Sequence, residues 1–333
     1  LMPVLANIGQ LATCPPDCPQ HDAGLIPAAA VAWSGDRIEW SGPAEALPQR
    51  YREETRFDAG GKLVIPGLID CHTHLCFGGW RGDEFDLRLQ GSSYQEIAAA
   101  GGGIASTVRE TRAAPADELA AKARAALDGM LALGVTAVEC KSGYGLDRLN
   151  ELKQLEVYRQ LDAAHPVDLF PTFLGAHIVP PEYAADRDRY ISLICEELIP
   201  EIARNGLAEF CDAFVEQGAF TIEEARRIFQ SAASHGLRIK VHADQFSDGG
   251  GAELAAATQA VSAEHLEYVS EAGIRALAGS GTTAVSLPLA SLYLGEPSLP
   301  ARQLIAAGVR IAVATDFNPG SAPSYHPVSY THL

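Results

Sequence analysis

From residue 64 onward, short apolar runs alternate with longer stretches whose apolar residues recur every three or four positions. The first pattern predicts buried strands, the second amphipathic helices. Strands are expected at 64–71, 135–140, 167–174, 211–216, 238–242, 260–264, 283–287 and 310–315. Helices are expected between them at 117–133, 150–164, 186–204, 222–235, 270–278 and 300–307. Three helices run into a glycine directly before the next strand (Gly134, Gly236, Gly308), where a left-handed C-terminal cap belongs. Strands joined by helical crossovers pair in parallel, and this series predicts an α/β fold, a (β/α)8 barrel of the TIM type. A doubly wound open sheet is the alternative. It would place a glycine-rich phosphate loop after the first strand, where this chain has His72-Thr73-His74.

The first 60 or so residues carry a different pattern. Short β-like pieces at 28–33 and 37–42 flank the turn residues Ser34-Gly35-Asp36, a hairpin signal. A small β-domain over 1–63 is therefore expected ahead of a barrel domain over 64–333. The triplets Gly101-Gly102-Gly103 and Gly249-Gly250-Gly251 lack the Lys-Ser/Thr ending of a phosphate loop and read as tight or mobile turns.

Composition changes this picture little. The chain has 333 residues, 47% of them hydrophobic and 20% charged, as expected of a soluble enzyme with one large domain and an appendage. A formal net charge of −17 argues against nucleic-acid and anionic-membrane partners, and it requires a local cation wherever an anionic substrate is held. There is no basic leader before an apolar core and no run of 18 apolar residues, so a cytoplasmic protein is expected. The seven cysteines read as free thiols. Cys14 and Cys18 resemble half a metal knuckle without a second half, and Cys71 and Cys76 read as small buried residues.

The chemistry lies at the strand ends. His72 and His74, at i and i+2 on an extended segment, leave the same face and can reach one ion. Such a pair arises by chance roughly 0.3 times in a chain with this many histidines, so other strands must supply the rest. Lys141 and Tyr144 follow the second strand, His177 the third, Glu216 the fourth, and His242, Asp244 and Gln245 the fifth. His265 follows the sixth strand and Asp316 the eighth. His72, His74, His242 and Asp316 form a nitrogen and oxygen donor set suited to one zinc or iron ion with room for a water. Its pKa would then fall toward neutrality. His265 is placed as a proton-transfer group or carbonyl polariser, with a fifth ligand as its other reading, and Asp316 could shuttle a proton as well as coordinate. Lys141 reads either as an ion-pair partner of nearby carboxylates or as a ligand of a second metal, and a single metal is favoured.

Several motifs together resemble the amidohydrolase superfamily. They are the run from Val64 to His74, then Phe77-Gly78-Gly79-Trp80-Arg81, Lys141-Ser142-Gly143-Tyr144-Gly145-Leu146 and Phe173-Leu174-Gly175-Ala176-His177. Val241-His242-Ala243-Asp244-Gln245 and the segment from Ala314 to Ser321 continue the likeness, which covers roughly residues 63–323. Within the superfamily the chain is similar to the members that act on 4-imidazolone-5-propanoate in histidine degradation. The resemblance implies hydrolysis of its ring amide to N-formimidoyl-L-glutamate, in the cytoplasm, often by a homodimer. It implies metal ligands at His72, His74, His242 and Asp316, and substrate contacts at Arg81, Tyr94, Tyr144, His177, Gln245, Asn318, Gly320 and Ser321. A propanoate tail suits the fork of Arg81, whose other reading is a salt bridge to Asp83 or Glu84. Tyr144 and His177 can hydrogen-bond a polar ring, and Asn318 and the Gly320 backbone offer donors. Some relatives carry Glu at the position of Gln245, which leaves base duty to His265. Two other readings stay open: a deaminase of a cyclic amidine or nucleobase, and a non-catalytic metal-bound barrel. The resemblance further implies that the small domain is a β-sandwich completed by later strands, and that a last barrel helix follows Asp316. The stretch from Pro327 to Leu333 does not fit this pattern, so a truncated frame is expected and His326 and His332 receive no role.

Overall fold

The computed structural model describes residues 2–15, 19, 22–93, 96–97 and 100–328. The chain divides into two compact units, Leu1–Gly67 and Leu68–Leu333. In the first, β1 (Val4–Ala12) pairs antiparallel with β2 (Leu25–Ser34), which pairs antiparallel with β3 (Arg37–Pro43). Two short strands, β4 (Arg56–Asp58) and β5 (Leu63–Val64), add in parallel along β1. The β2–β3 hairpin closes through Ser34↔Arg37 with Gly35 at φ 58, the left-handed conformation such a turn requires. Val4, Ile8 and Leu11 of β1 are buried and anchor the two small apolar clusters of this sheet.

The second unit is built on eight parallel strands, each beside its neighbour in sequence. They are β6 (Leu68–Thr73), β7 (Val135–Lys141), β8 (Asp168–Ala176), β9 (Phe210–Val215), β10 (Arg238–Ala243), β11 (Ser262–His265), β12 (Thr283–Ser286) and β13 (Ile311–Val313). The ring closes at its C-terminal rim, where Thr73 bridges Phe317, Asp316 N donates to His72 O at 3.0 Å and His74 N to Phe317 O at 2.8 Å. The apolar run expected as one strand over 64–71 is split. Leu63 and Val64 belong to the small sheet, and the first barrel strand starts at Leu68. Pro66 has no N–H for a ladder and disfavours continuation, so the break falls at Pro66-Gly67.

The helix Ile222–Ser234 shows how the outer layer is specified. Thr221 and Glu224 form a capping box, and Ala225, Ile228, Phe229 and Ala232, spaced by three and four, face inward. Burying Ile228 and Phe229 contributes about 1.5–3 kcal/mol each. The helix expected over 186–204 is segmented into Arg187–Ser192, a π-helical Leu193–Leu198 and Ile199–Asn205. Pro200 cannot donate to the carbonyl of Glu196, and the wider turn absorbs that break. On the outer face of β6, Ile69 is 62% exposed, so no helix covers it among the described residues. No helix of the described residues is long and apolar enough to cross a membrane.

Candidate active site

The end of β6 delivers His72 and His74, β10 delivers His242, and the turn after β13 delivers Asp316. All four are buried, and their ligand atoms converge. His72 Nε2 lies 3.2 Å and His74 Nε2 3.4 Å from Asp316 Oδ1, while His242 Nε2 and His74 Nε2 are 3.4 Å apart. Zinc–nitrogen bonds of about 2.0–2.1 Å in tetrahedral array put donor atoms about 3.3 Å apart. These spacings suit a metal ion: His72, His74 and Asp316 form one close group and His72, His242 and His265 another, with His242 Nε2 joining the first through His74. The Nδ1 atoms face away from this point: His72 Nδ1 is 2.6 Å from Glu264 Oε2, and His242 Nδ1 donates to Asp212 Oδ2 at 2.8 Å. Carboxylates behind ligating imidazoles fix which nitrogen is presented.

Electrostatics point the same way. Burial disfavours a charged His72, yet Glu264 and Asp316 outweigh it and hold the imidazole up at about 9. His74 is pushed well below its ordinary value by burial and by the neighbouring His177 and His72. Burial opposes ionisation of Asp316, but contact with His72 wins and keeps its pKa low. The concentrated negative charge that holds a proton on His72 is the charge a bound cation would balance in its place. His265 stands beside this group, its ring 5.3 Å from His242 and 5.7 Å from His72, with Nδ1 3.6 Å from Glu267 Oε1. Asp244, His265, Leu266 and Asp316 all take positive φ (50°, 76°, 65° and 55°) at the barrel rim, a strained backbone held where side chains must be aimed.

A small cavity opens over these groups. Arg81, Tyr144, His177, Gln245, Asn318 and Ser321 all line it with His74, His242, His265 and Asp316. Arg81 Nη1 reaches Glu84 Oε2 at only 3.4 Å, and its buried Nε has no hydrogen-bond partner among the described residues. The guanidinium is thus both a weak internal ion pair and a pocket cation. Its position depends on Gly320, where an added Cβ would sit 2.0 Å from Nη2. His177 Nδ1 donates to Gly143 O at 3.0 Å, and burial with the nearby His242 pushes its pKa down to about 3. Asn318 and Gly320 take another part than free donors: Asn318 Oδ1 accepts from the N–H of Gly320 and of Ser321, and its amide donates to Asp316 O at 2.7 Å. Their polar groups build the turn that presents Asp316 and Arg81. Tyr94 lies outside the described residues.

Other polar residues act behind the pocket. Lys141 points into the barrel interior, 2.8 Å from Glu139 Oε1. Glu216 accepts from Phe246 N at 2.9 Å and from the Ser247 hydroxyl, fastening the turn after Gln245. Asp244 faces away from the pocket and accepts from Gly249 N, Gly251 N and Ala252 N, so the second glycine triplet begins the helix Gly251–Ala257. The helix Arg148–Asp162 holds two rim segments. Glu151 accepts from Gly143 N, Gly145 N and Leu146 N, and Gln154 bonds both Tyr144 N and Cys76 O. Tyr158 OH accepts from Cys76 N and donates to Lys141 O. Sequence reasoning missed Asp212, Glu264, Glu151 and Gln154. For Asp212 and Glu264 the available signal was an acid at an inward position of an apolar strand.

The fold and the donor set are those of a metal-dependent hydrolase. Residues 63–325 match the amidohydrolase family, and the chain belongs to it. The imidazolonepropionase of Paraburkholderia phymatum is 50% identical over 309 residues, 92% of this chain and 76% of that protein. That of Cupriavidus pinatubonensis is 51% identical over 303 residues, 91% of this chain and 71% of the relative. Among solved structures, 5-methylcytosine deaminase from Klebsiella pneumoniae gives a TM-score of 0.71 at 16% identity, over 98% of this chain and 78% of that one. An adenosine deaminase from Xanthomonas campestris with bound zinc gives 0.64 at 19% identity, over 98% and 72%. At those identities the two deaminases share the fold alone.

Proposed function

We propose that this chain hydrolyses the ring amide of 4-imidazolone-5-propanoate to N-formimidoyl-L-glutamate in histidine degradation. The observation that carries the reading is that Arg81 and the His/Asp cluster line one cavity, in a chain half identical to imidazolonepropionases. His72, His74, His242 and Asp316 would hold one metal ion, zinc or iron. When bound, such an ion lowers the pKa of a coordinated water toward neutrality and polarises an amide carbonyl. Arg81 clamps the propanoate carboxylate with two parallel N–H groups. His177, with Nδ1–H committed to Gly143 O, presents Nε2 as an acceptor for a ring N–H. Asp316 and His265 are the two groups able to carry a proton from the water to the ring nitrogen as its bond to the carbonyl carbon breaks. Gln245 orients ring or water and has no basic group. Ile104, Phe214 and Leu294 form the apolar part of the wall.

The test is to assay the metal-analysed protein on freshly generated imidazolone propanoate, with and without chelator, following imidazolone absorbance and ammonia together. Loss of absorbance without ammonia, stopped by chelator and restored by metal, is expected. Ammonia release from cyclic amidines or nucleobases in place of that turnover would move the chain to the deaminases.

A further inference from the structure

Below the histidines the barrel interior holds a cluster of charged side chains around Lys141. Lys141, fully buried, places Nζ 2.8 Å from Glu139 Oε1, 3.0 Å from Asp212 Oδ2 and 2.9 Å from Glu264 Oε2. Its ammonium donates to Glu139 and Asp212, and Glu264 Oε2 lies within ion-pair distance of the same Nζ. Two of these carboxylate oxygens face the histidines as well: Glu264 Oε2 is 2.6 Å from His72 Nδ1, and Asp212 Oδ2 is 2.8 Å from His242 Nδ1. Lys240 braces the far oxygen, its Nζ 2.5 Å from Glu264 Oε1, and the Thr172 hydroxyl donates to Glu139. One cation on β7 thus fixes carboxylates on β9 and β11, which in turn fix imidazoles on β6 and β10.

We propose that Lys141 is a positioning residue of the metal centre. By pinning Asp212 and Glu264 it holds the His72 and His242 rings so that both Nε2 atoms face the point shared with His74 and Asp316. The proposal rests on the metal-site reading given above. It differs in sign from simple charge balance. Within this cluster three carboxylates and two ammonium groups carry one net negative charge. Removing a cation that only balanced charge would deepen that negative potential and tighten metal binding. Removing one that aims the ligands loosens it.

The experiment is zinc affinity by chelator competition, on folded wild-type, Lys141→Met, Asp212→Asn and Glu264→Gln proteins, with the visible bands of the cobalt(II)-loaded forms alongside. Replacing partners of this kind weakens metal binding about 10- to 100-fold. An increase in the zinc dissociation constant in that range for Lys141→Met, with shifted cobalt bands, is the expected result. Unchanged or tighter zinc binding overturns the proposal, even where the melting temperature falls, because a purely structural lysine would affect stability alone. If Lys141→Met does not fold, the two carboxylate variants decide: weakening in both supports the proposal, and unchanged affinity in either overturns it. A wild-type chain that binds zinc, shows these losses and leaves imidazolone propanoate intact would retain the inference and refute the proposed substrate. A wild-type chain that turns over the substrate while Lys141→Met keeps its affinity would do the reverse.

Discussion

A methyl group at position 320 tests the part given to Arg81. In Gly320→Ala the new Cβ would lie 2.0 Å from Arg81 Nη2, 2.1 Å from Cζ and 2.4 Å from Nε, well inside any real contact. The obstructing atoms are the far end of a flexible side chain, so the guanidinium moves and the backbone stays. Arg81 N remains bonded to Pro319 O at 2.9 Å, and Arg88 Nη2 still donates to Gly320 O at 3.2 Å. The cost to folding is then small, about 1 kcal/mol. The cost to substrate is larger, because a displaced guanidinium loses a charge-assisted hydrogen bond worth about 1.5–3 kcal/mol. That corresponds to roughly 10- to 150-fold in kcat/KM, mostly through KM, since the carboxylate is held equally before and during reaction. Imidazolone absorbance decay at varied substrate concentration reads the loss, and urea unfolding reads the stability. An analogue whose tail ends in an amide should be turned over at similar rates by both proteins. A folded Gly320→Ala protein with wild-type KM, or an equal loss on the neutral analogue, would refute the placement of the carboxylate at Arg81.

Three further outcomes are expected. Glu151→Ala strands the N–H groups of Gly143, Gly145 and Leu146, at about 1–3 kcal/mol for each buried donor left unpaired. The urea midpoint should fall by more than any surface substitution moves it, with Glu151→Gln between, and a near-neutral Glu151→Ala would contradict this. His265→Ala should lower kcat by about 10²- to 10⁴-fold at unchanged metal content. Loss of metal instead would make it a fifth ligand, and full activity would remove it from the mechanism. The Glu224 carboxylate is held below its ordinary pKa chiefly by its hydrogen bond from Arg187, against opposing burial. Its stabilisation is therefore complete above the unfolded carboxylate's pKa and is lost as the pH falls through the lower folded value. The stability gap between wild type and Glu224→Gln should be widest near neutrality and close in acid; a gap constant from pH 7 to 3 would count against it.

The barrel was legible because strands such as Phe210–Val215 are buried on both faces and read as apolar runs, and because glycine caps such as Gly134 and Gly308 mark where helices hand over to strands. The rim helices were not. Gly82–Leu89, Ile104–Ala113, Gly251–Ala257 and Pro288–Leu294 are each ten residues or fewer, and they depend on tertiary bonds such as Glu84 to Gly103 N. Residues that face the pocket could be found by type and strand-end position, as with His74, His177 and His242. Those that act through a neighbour could not. Asn318 reads as a donor to substrate until its bonds to Gly320 and Ser321 are seen, and Glu151 is an ordinary helix glutamate until its partners are.

The helix Arg148–Asp162 ties the segment around Cys76 and the turn from Gly143 to Leu146 to one rigid rod. Neither can swing without the other, so that side of the cavity behaves as a fixed jaw. Beyond that wall, Ile104 and Phe214 border both this cavity and a second hollow next to it. One wall of the pocket is thereby kept stiff by a helix that does not itself line it.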